Sequence, residues 1–382
     1  MQQQPSQSLT SKPASAPIEA VDRLVALDIL RGIALFGVMV INVVFEFRVS
    51  IFEQFLPTYP PLAPLDKAIS AFLEAAISLK AFALFSLLFG AGLAIQFDRL
   101  AQKPRAILLL RRLLALLAFG IIHATLIWNG DILIEYALAG LIVLPLLYGP
   151  RWLLALAAVA LLILYATSYL GRMVPLPDFP WMMGHVVEAR RVYANGSFAD
   201  ILRFRIGEIA AIAPLHVWVL PRTLALFLVG ALAWRTGVLQ RASEQRWLLL
   251  GVALIAAVLT PWMSWVLKTV TLALAYGAFI IAVASTPMGV RLLGWAAPLG
   301  RMAFTNYIAQ SLIFGWIFYG YGLGLFGKLG VAAALTIGVV TYIALVFASR
   351  WWLDRYRFGP VEWLWRALMY GRMPPMRRLA AA

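Results

Sequence analysis

Long apolar runs, broken by short polar stretches, dominate this chain. Residues 152–170, 248–266 and 331–348 are such runs, and they approach the ~20 residues that cross about 30 Å of hydrocarbon as a helix. The apolar/polar alternation of a transmembrane β-barrel strand does not occur. The pattern predicts an all-α, polytopic integral membrane protein. Ten transmembrane spans are expected near 26–45, 80–97, 111–128, 132–148, 152–170, 211–233, 247–266, 269–286, 302–319 and 330–349. Pro214 and Pro221 raise the expectation of a break in the sixth span. Short connections at 129–131 and 149–151 make antiparallel neighbours. Longer connections at 46–79 and 172–205 fall on the opposite side from the termini, the first with an amphipathic segment at 65–79.

This layout divides the chain into three parts. Residues 1–22 lack an apolar core and read as a disordered N-terminal tail rather than a cleaved signal. Residues 23–350 form the transmembrane domain. Residues 351–382 form a cytoplasmic interfacial helix, centred on 358–371, and a basic tail.

Composition supports the class: 63% of the 382 residues are hydrophobic and 13% charged, whereas a soluble domain is about a quarter charged. Mean hydropathy is +0.85. The formal net charge of +15 would suggest a nucleic-acid partner in a soluble protein. Here the cations sit between and after spans, so none is expected, and membrane lipids are the expected contact. Arg99, Lys103, Arg105, Arg111 and Arg112 cluster in one connection, Arg235, Arg241 and Arg246 in another, and seven arginines follow the last span. With ten spans all of them share one side with Arg23. By the positive-inside rule that side, with both termini, is cytoplasmic. The chain has no cysteine, which removes disulfides, thiolate catalysis and Cys-ligated metal. His123, His185 and His216 are the only histidines and form no closely spaced ligand set. No metal is expected.

Candidate chemistry concentrates in 123–136, HATLIWNGDILIEY. Ionisable groups are expensive at membrane depth and usually face a cavity or a partner. His123 lies eleven residues beyond Arg112, about 16 Å into the membrane, and a neutral imidazole there suits a general base. It can equally be a structural hydrogen-bonding group. Asn129 and Gly130 form a turn, Asp131 begins the next helix and can cap it, and Glu135 follows one turn later. Catalytic candidates are therefore His123, Asp131 and Glu135, with Asn129 beside them. At 27–32, LDILRG puts Asp28 and Arg31 on one helix face, either as an interfacial ion pair or with Arg31 facing an anionic phosphate. Asn42 is the other polar group of that span. GRMAFTNYIAQS at 300–311 carries Arg301, Asn306 and Gln310, and such amides commonly hold membrane helices together. FSLLFGAG at 85–92 reads as a close-packing face.

These motifs, with GYGLGLFG and FGPVEWLWRALMYG and in this order, resemble the YeiB family of bacterial membrane proteins, a domain of unknown function (418). The likeness runs over residues 23–371. Through LDILRG the family is distantly similar to transmembrane acyltransferases such as heparan-α-glucosaminide N-acetyltransferase. That resemblance implies an acyltransferase in the bacterial inner membrane. It would move an acyl or acetyl group from cytoplasmic acyl-CoA or acetyl-CoA to a small-molecule or glycan acceptor on the periplasmic side, using an intramembrane histidine. His123 is the residue that sits for that role, and Asp28, Arg31 and Gly32 carry the shared motif. Arg31, Arg111, Arg112 and Arg301 are then candidates for the donor phosphates. Asn42, Asn129, Asn306 and Gln310 are candidates for holding substrate or polarising the thioester carbonyl. The alternatives are a transporter or lipid flippase using the same polar cluster, and a lipid-binding scaffold without turnover. Small-residue faces leave a homodimer open.

Overall fold

The computed structural model describes residues 24–57, 62–100 and 104–378. The expected disordered tail at 1–22, with Arg23 and Lys103 of the charge argument, lies outside them. Among the described residues the chain is helical without a β-strand; one isolated bridge pairs Tyr356 with Arg377. The helices are α1 Val25–Asn42, α2 Pro64–Ala76, α3 Lys80–Arg99, α4 Arg105–Ile122, α5 Leu133–Leu146, α6 Arg151–Ala166, α7 Tyr169–Met173 and α8 Phe179–Asn195. They continue with α9 Phe198–Arg235, α10 Arg246–Leu259, α11 Trp265–Ala284, α12 Pro287–Leu293, α13 Ala297–Arg301, α14 Ala303–Phe318, α15 Val331–Arg355 and α16 Pro360–Tyr370.

Each of the ten expected segments is helical. Among the described residues six helical stretches are long and apolar enough to cross a membrane: Val25–Phe47, Pro64–Arg99, Arg105–Ile127, Phe198–Arg235, Trp265–Ala284 and Val331–Arg355. Leu133–Leu146, Arg151–Ala166 and Arg246–Trp262 are apolar but shorter. The expected break in the sixth span does not occur. α9 runs unbroken for 38 residues with Pro214 and Pro221 inside it, because neighbouring helices in a membrane bundle can support a backbone that has lost a hydrogen bond. At about 1.5 Å per residue it is roughly 57 Å long, longer than the hydrocarbon. α8 packs beside it.

α1 is the central helix and contacts α3, α11, α13, α14 and α15. Glycines set two of the closest approaches. A Cβ on Gly32 would collide with the Ala296 carbonyl, and one on Gly300 with the Asp28 carbonyl. The LDILRG and GRMAF motifs thus lock α1 against α13. Gly90 meets the Phe227 backbone and Gly230 meets that of Leu87, so the FSLLFGAG face packs α3 on α9 as expected.

Two helix starts lack a local side-chain cap and take one from a remote element. The Glu362 carboxylate of α16 accepts from the backbone N–H groups of Phe304 (2.8 Å) and Thr305 (3.1 Å) at the start of α14. Asp66 of α2 accepts from Val331 (3.0 Å) and Ala332 (2.9 Å) at the start of α15. α16 is amphipathic, and it docks on α4 through a Trp365 indole N–H donating to the Arg112 carbonyl at 2.9 Å.

Candidate functional site

α4 does not end at Ile122. It widens into a π-helical turn, His123–Ile127, in which the Trp128 N–H donates to the His123 carbonyl at 2.7 Å. α1 ends in the same way, in a π-helical turn over Val43–Phe47. The two turns face each other, with Phe47 stacked on Trp128 at 4.5 Å. Such turns are enriched at functional sites because they redirect a side chain without breaking the helix.

His123 is fully buried. Its Nδ1 lies 2.9 Å from Asp131 Oδ1, and its Nε2 has no hydrogen-bond partner. Asp131 Oδ2 accepts from the Ile134 N–H at 2.8 Å. Asp131 therefore both caps α5 and orients the imidazole. The Tyr307 ring lies 5.0 Å from that of His123.

Two chambers open toward opposite ends of the bundle. The inner chamber, about 260 Å3, is lined along α1 by Leu24 through Val38 and along α3 by Phe85 through Arg99. The outer chamber, about 1200 Å3, is lined by Ile41, Phe45 and Glu46 further along α1 and by Leu79, Lys80 and Phe82 at the start of α3. Ile132 and Tyr136 line both chambers. The Tyr136 hydroxyl is tied to the Phe82 carbonyl at 2.8 Å and to Ser86 Oγ at 3.0 Å. Tyr307 lines the inner chamber, so one ring separates His123 from it. His123 itself lines neither.

The inner chamber is cationic. Arg31, Arg99, Arg112, Arg301 and Arg366 line it against the carboxylates Asp28 and Glu362. Asp28 pairs with Arg31 at 2.9 Å, and Glu362 caps α14. Arg112 is 7% exposed, and its Nε and Nη1 have no partner. Its guanidinium sits 4.4 Å over Trp365 and 5.6 Å from the Phe89 centroid. A buried cation without a counter-ion is costly, and a chamber lined by one attracts an anion.

The 123–136 segment thus splits into three separate clusters. His123 pairs with Asp131. Asn129 donates to Glu208 Oε2 at 2.6 Å, and that carboxylate also holds His185 Nε2 at 2.7 Å and the Tyr193 hydroxyl at 2.7 Å. Glu135 turns into the outer chamber, where it meets His216 Nδ1 at 3.0 Å and the Thr223 hydroxyl. Arg31, Arg112 and Arg301 come together in the inner chamber, whereas Arg111 is exposed and lies outside it. Asn306 donates to Ser349 Oγ at 2.8 Å and to the Leu299 carbonyl at 3.3 Å, fastening α14 to α15. Asn42 and Gln310 are buried with both side-chain polar atoms unpartnered and line neither chamber. Among the described residues no three His, Asp or Glu side chains converge on a metal position.

Sequence reasoning passed over His216, Arg222, Glu208 and Tyr307. His216 and Glu208 take partners at least fifteen positions away, and Arg222 lies deep in a helix with no patterned neighbour. Tyr307 sat inside a motif already singled out, where an aromatic next to Asn306 reads as packing.

Residues 216–372 match the family model described as "Protein of unknown function (DUF418)". The chain is 30% identical to the uncharacterized protein YxaH of Bacillus subtilis, over 94% of this chain and 96% of that one. It is 29% identical to the uncharacterized protein YeiB of Escherichia coli, over 91% of this chain and 96% of that one. It is 28% identical to an uncharacterized 39.9 kDa protein from the amylase 3' region of Bacillus acidopullulyticus, over 94% and 97%. No solved structure matches the chain.

Proposed function

The chain belongs to the YeiB-like DUF418 family, and from that premise we propose that it is a transmembrane acyltransferase of the bacterial inner membrane. It takes its donor from cytoplasmic acyl-CoA and its acceptor from the periplasmic side. Ten spans with both termini cytoplasmic put the arginine-rich inner chamber on the donor side. The observation that carries the reading is His123: buried, oriented by Asp131, its Nε2 unpartnered, and one ring, Tyr307, away from the inner chamber.

The chemistry follows from these groups. Asp131 as a carboxylate accepts the Nδ1 hydrogen, which leaves the lone pair on Nε2. At about 260 Å3 the inner chamber is smaller than the roughly 300–1,000 Å3 that encloses a drug-sized ligand. It takes the acyl-pantetheine arm and leaves the nucleotide at the mouth, with Arg112 and Arg31 on donor phosphates. Movement of the Tyr307 ring admits the thioester to His123. Nε2 takes the proton of the acceptor hydroxyl or amine, whose O or N forms the new bond to the acyl carbon. The C–S bond breaks, and coenzyme A leaves as the thiol with that proton.

The chain has no cysteine, so once the acceptor extract is alkylated and dialysed a thiol reagent reads liberated coenzyme A. Proteoliposomes given acetyl-CoA and a periplasmic-extract acceptor should release thiol. His123→Ala should abolish the release while the protein stays inserted and monodisperse. Full activity in that variant overturns the assignment.

The shared wall of Ile132 and Tyr136 favours one second reading, a transporter with alternating access. That reading requires substrate uptake into liposomes without any acyl donor.

A further inference from the structure

The outer chamber has its own buried arginine. Arg222, on α9, is 3% exposed and lines the chamber, and its Nε and Nη1 have no hydrogen-bond partner. No carboxylate of the described residues pairs with it; the Tyr165 ring lies 5.9 Å from the guanidinium carbon. The chamber's carboxylates are Glu46, Glu74 and Glu135. Glu135 is already occupied by His216 and Thr223. Lys80, Arg172 and Lys268 add positive charge. A buried guanidinium with open N–H groups is a strong oxyanion site, because its fork matches phosphate geometry.

The walls say what else the ligand carries. About 1200 Å3 is far more than a small anion needs, and Phe45, Phe55, Phe82 and Trp218 supply apolar surface. Trp218 stacks on Trp265 at 5.4 Å. Trp265 is 65% exposed at the first residue of α11, where an indole sits at the lipid–water boundary. On the ten-span reading the mouth of the chamber borders the outer leaflet.

We propose that the outer chamber binds a phosphate ester on an apolar stem, with the phosphate on Arg222 and the stem along the aromatic wall. As an acceptor site this rests on the acyl-transfer reading above; as a binding site it stands alone. The same phosphate chemistry is offered by a phospholipid headgroup and by a soluble phosphate ester, and the experiment separates them.

Full-length protein in a maltoside detergent is titrated with short-chain phosphatidylglycerol, with glycerol 3-phosphate, and with a short-chain diacylglycerol, reading tryptophan fluorescence. Saturable binding of phosphatidylglycerol, weakened at least tenfold in Arg222→Gln, is expected, because loss of a charge-assisted contact costs about that factor. Arg222→Lys should retain part of the affinity, which guards against misfolding as the cause. Equal affinity for glycerol 3-phosphate would show that the aromatic wall contributes nothing and would overturn the apolar stem. No saturable binding by either phosphate ester, an unchanged affinity in Arg222→Gln, or equal binding of the uncharged diacylglycerol overturns the proposal. His123→Ala should leave this binding intact, so loss of acyl transfer and loss of the phosphate site are read separately.

Discussion

Asp131 satisfies two groups with two oxygens: Oδ1 faces His123 Nδ1 and Oδ2 caps Ile134. This separates its structural role from its chemical one. In Asp131→Asn the amide oxygen can still cap α5, since Asn is as good an N-cap as Asp. The amide nitrogen can only donate, so it meets Nδ1 as a lone pair and leaves the hydrogen on Nε2. The imidazole is then held in the tautomer that cannot accept the acceptor's proton. Acyl transfer should fall by roughly 10⁴-fold, the scale of the equivalent change in a serine protease triad, with the melting temperature little changed. Asp131→Ala should lose activity and also about 1 kcal/mol from the cap. Comparable activity in Asp131→Asn and the parent would remove His123 from proton transfer. That Asp131 could act as a cap was legible from its place after Asn129 and Gly130. That it also orients His123 depends on the π-helical turn at 123–127, which no residue pattern announced. Glu135 shows the opposite limit. Its spacing from Asp131 put both on one helix face, yet it pairs with His216, 81 positions away, and only tertiary packing brings those two together.

At the level of elements, helices that start inside the protein need acceptors from elsewhere. Glu362 does this for α14 and in doing so fixes α16. Burial pushes its carboxyl above the ordinary value, while the hydrogen bonds from Thr305 and Phe304 pull the other way. A carboxyl raised in the fold binds its proton more tightly than in the unfolded chain. Its stabilisation is therefore full below the ordinary Glu value and lost as pH rises through the raised one. Thermal melts of the wild type should decline over that range, and the decline should flatten in Glu362→Gln. Glu362→Ala should cost about 1–3 kcal/mol, because two backbone donors are orphaned. The glycine contacts give a second test of elements. Gly300→Ala forces a Cβ into the Asp28 backbone and should destabilise by at least the ~1–3 kcal/mol of an overpacked core. Gly184→Ala, with open space around it, should be nearly neutral. The helices themselves were legible because apolar length is read along the chain. The continuity of α9 was not, because Pro214 and Pro221 break a helix in water but not one supported by neighbours.

Across the whole molecule, an enzyme and a transporter with the same two chambers differ in how those chambers are coupled. An acyltransferase keeps a fixed wall at Ile132 and Tyr136, passes only an acyl group past it, and leaves each chamber open to its own side. An alternating-access transporter must close one chamber when it opens the other. The chain has no cysteine, so single cysteines report without background. Gln96→Cys lies in the inner chamber and Lys268→Cys in the outer. With a membrane-impermeant maleimide, the first should label only in inside-out vesicles and the second only in right-side-out ones. Acetyl-CoA should protect Gln96→Cys and leave labelling of Lys268→Cys unchanged, because a ligand held by Arg112 and Arg31 cannot act through a wall that does not move. If acetyl-CoA on the inner side slows or speeds labelling at Lys268→Cys several-fold, the two chambers share one moving element. The transport reading then displaces the enzyme, and Tyr136, anchored to Phe82 and Ser86, becomes the first hinge to probe.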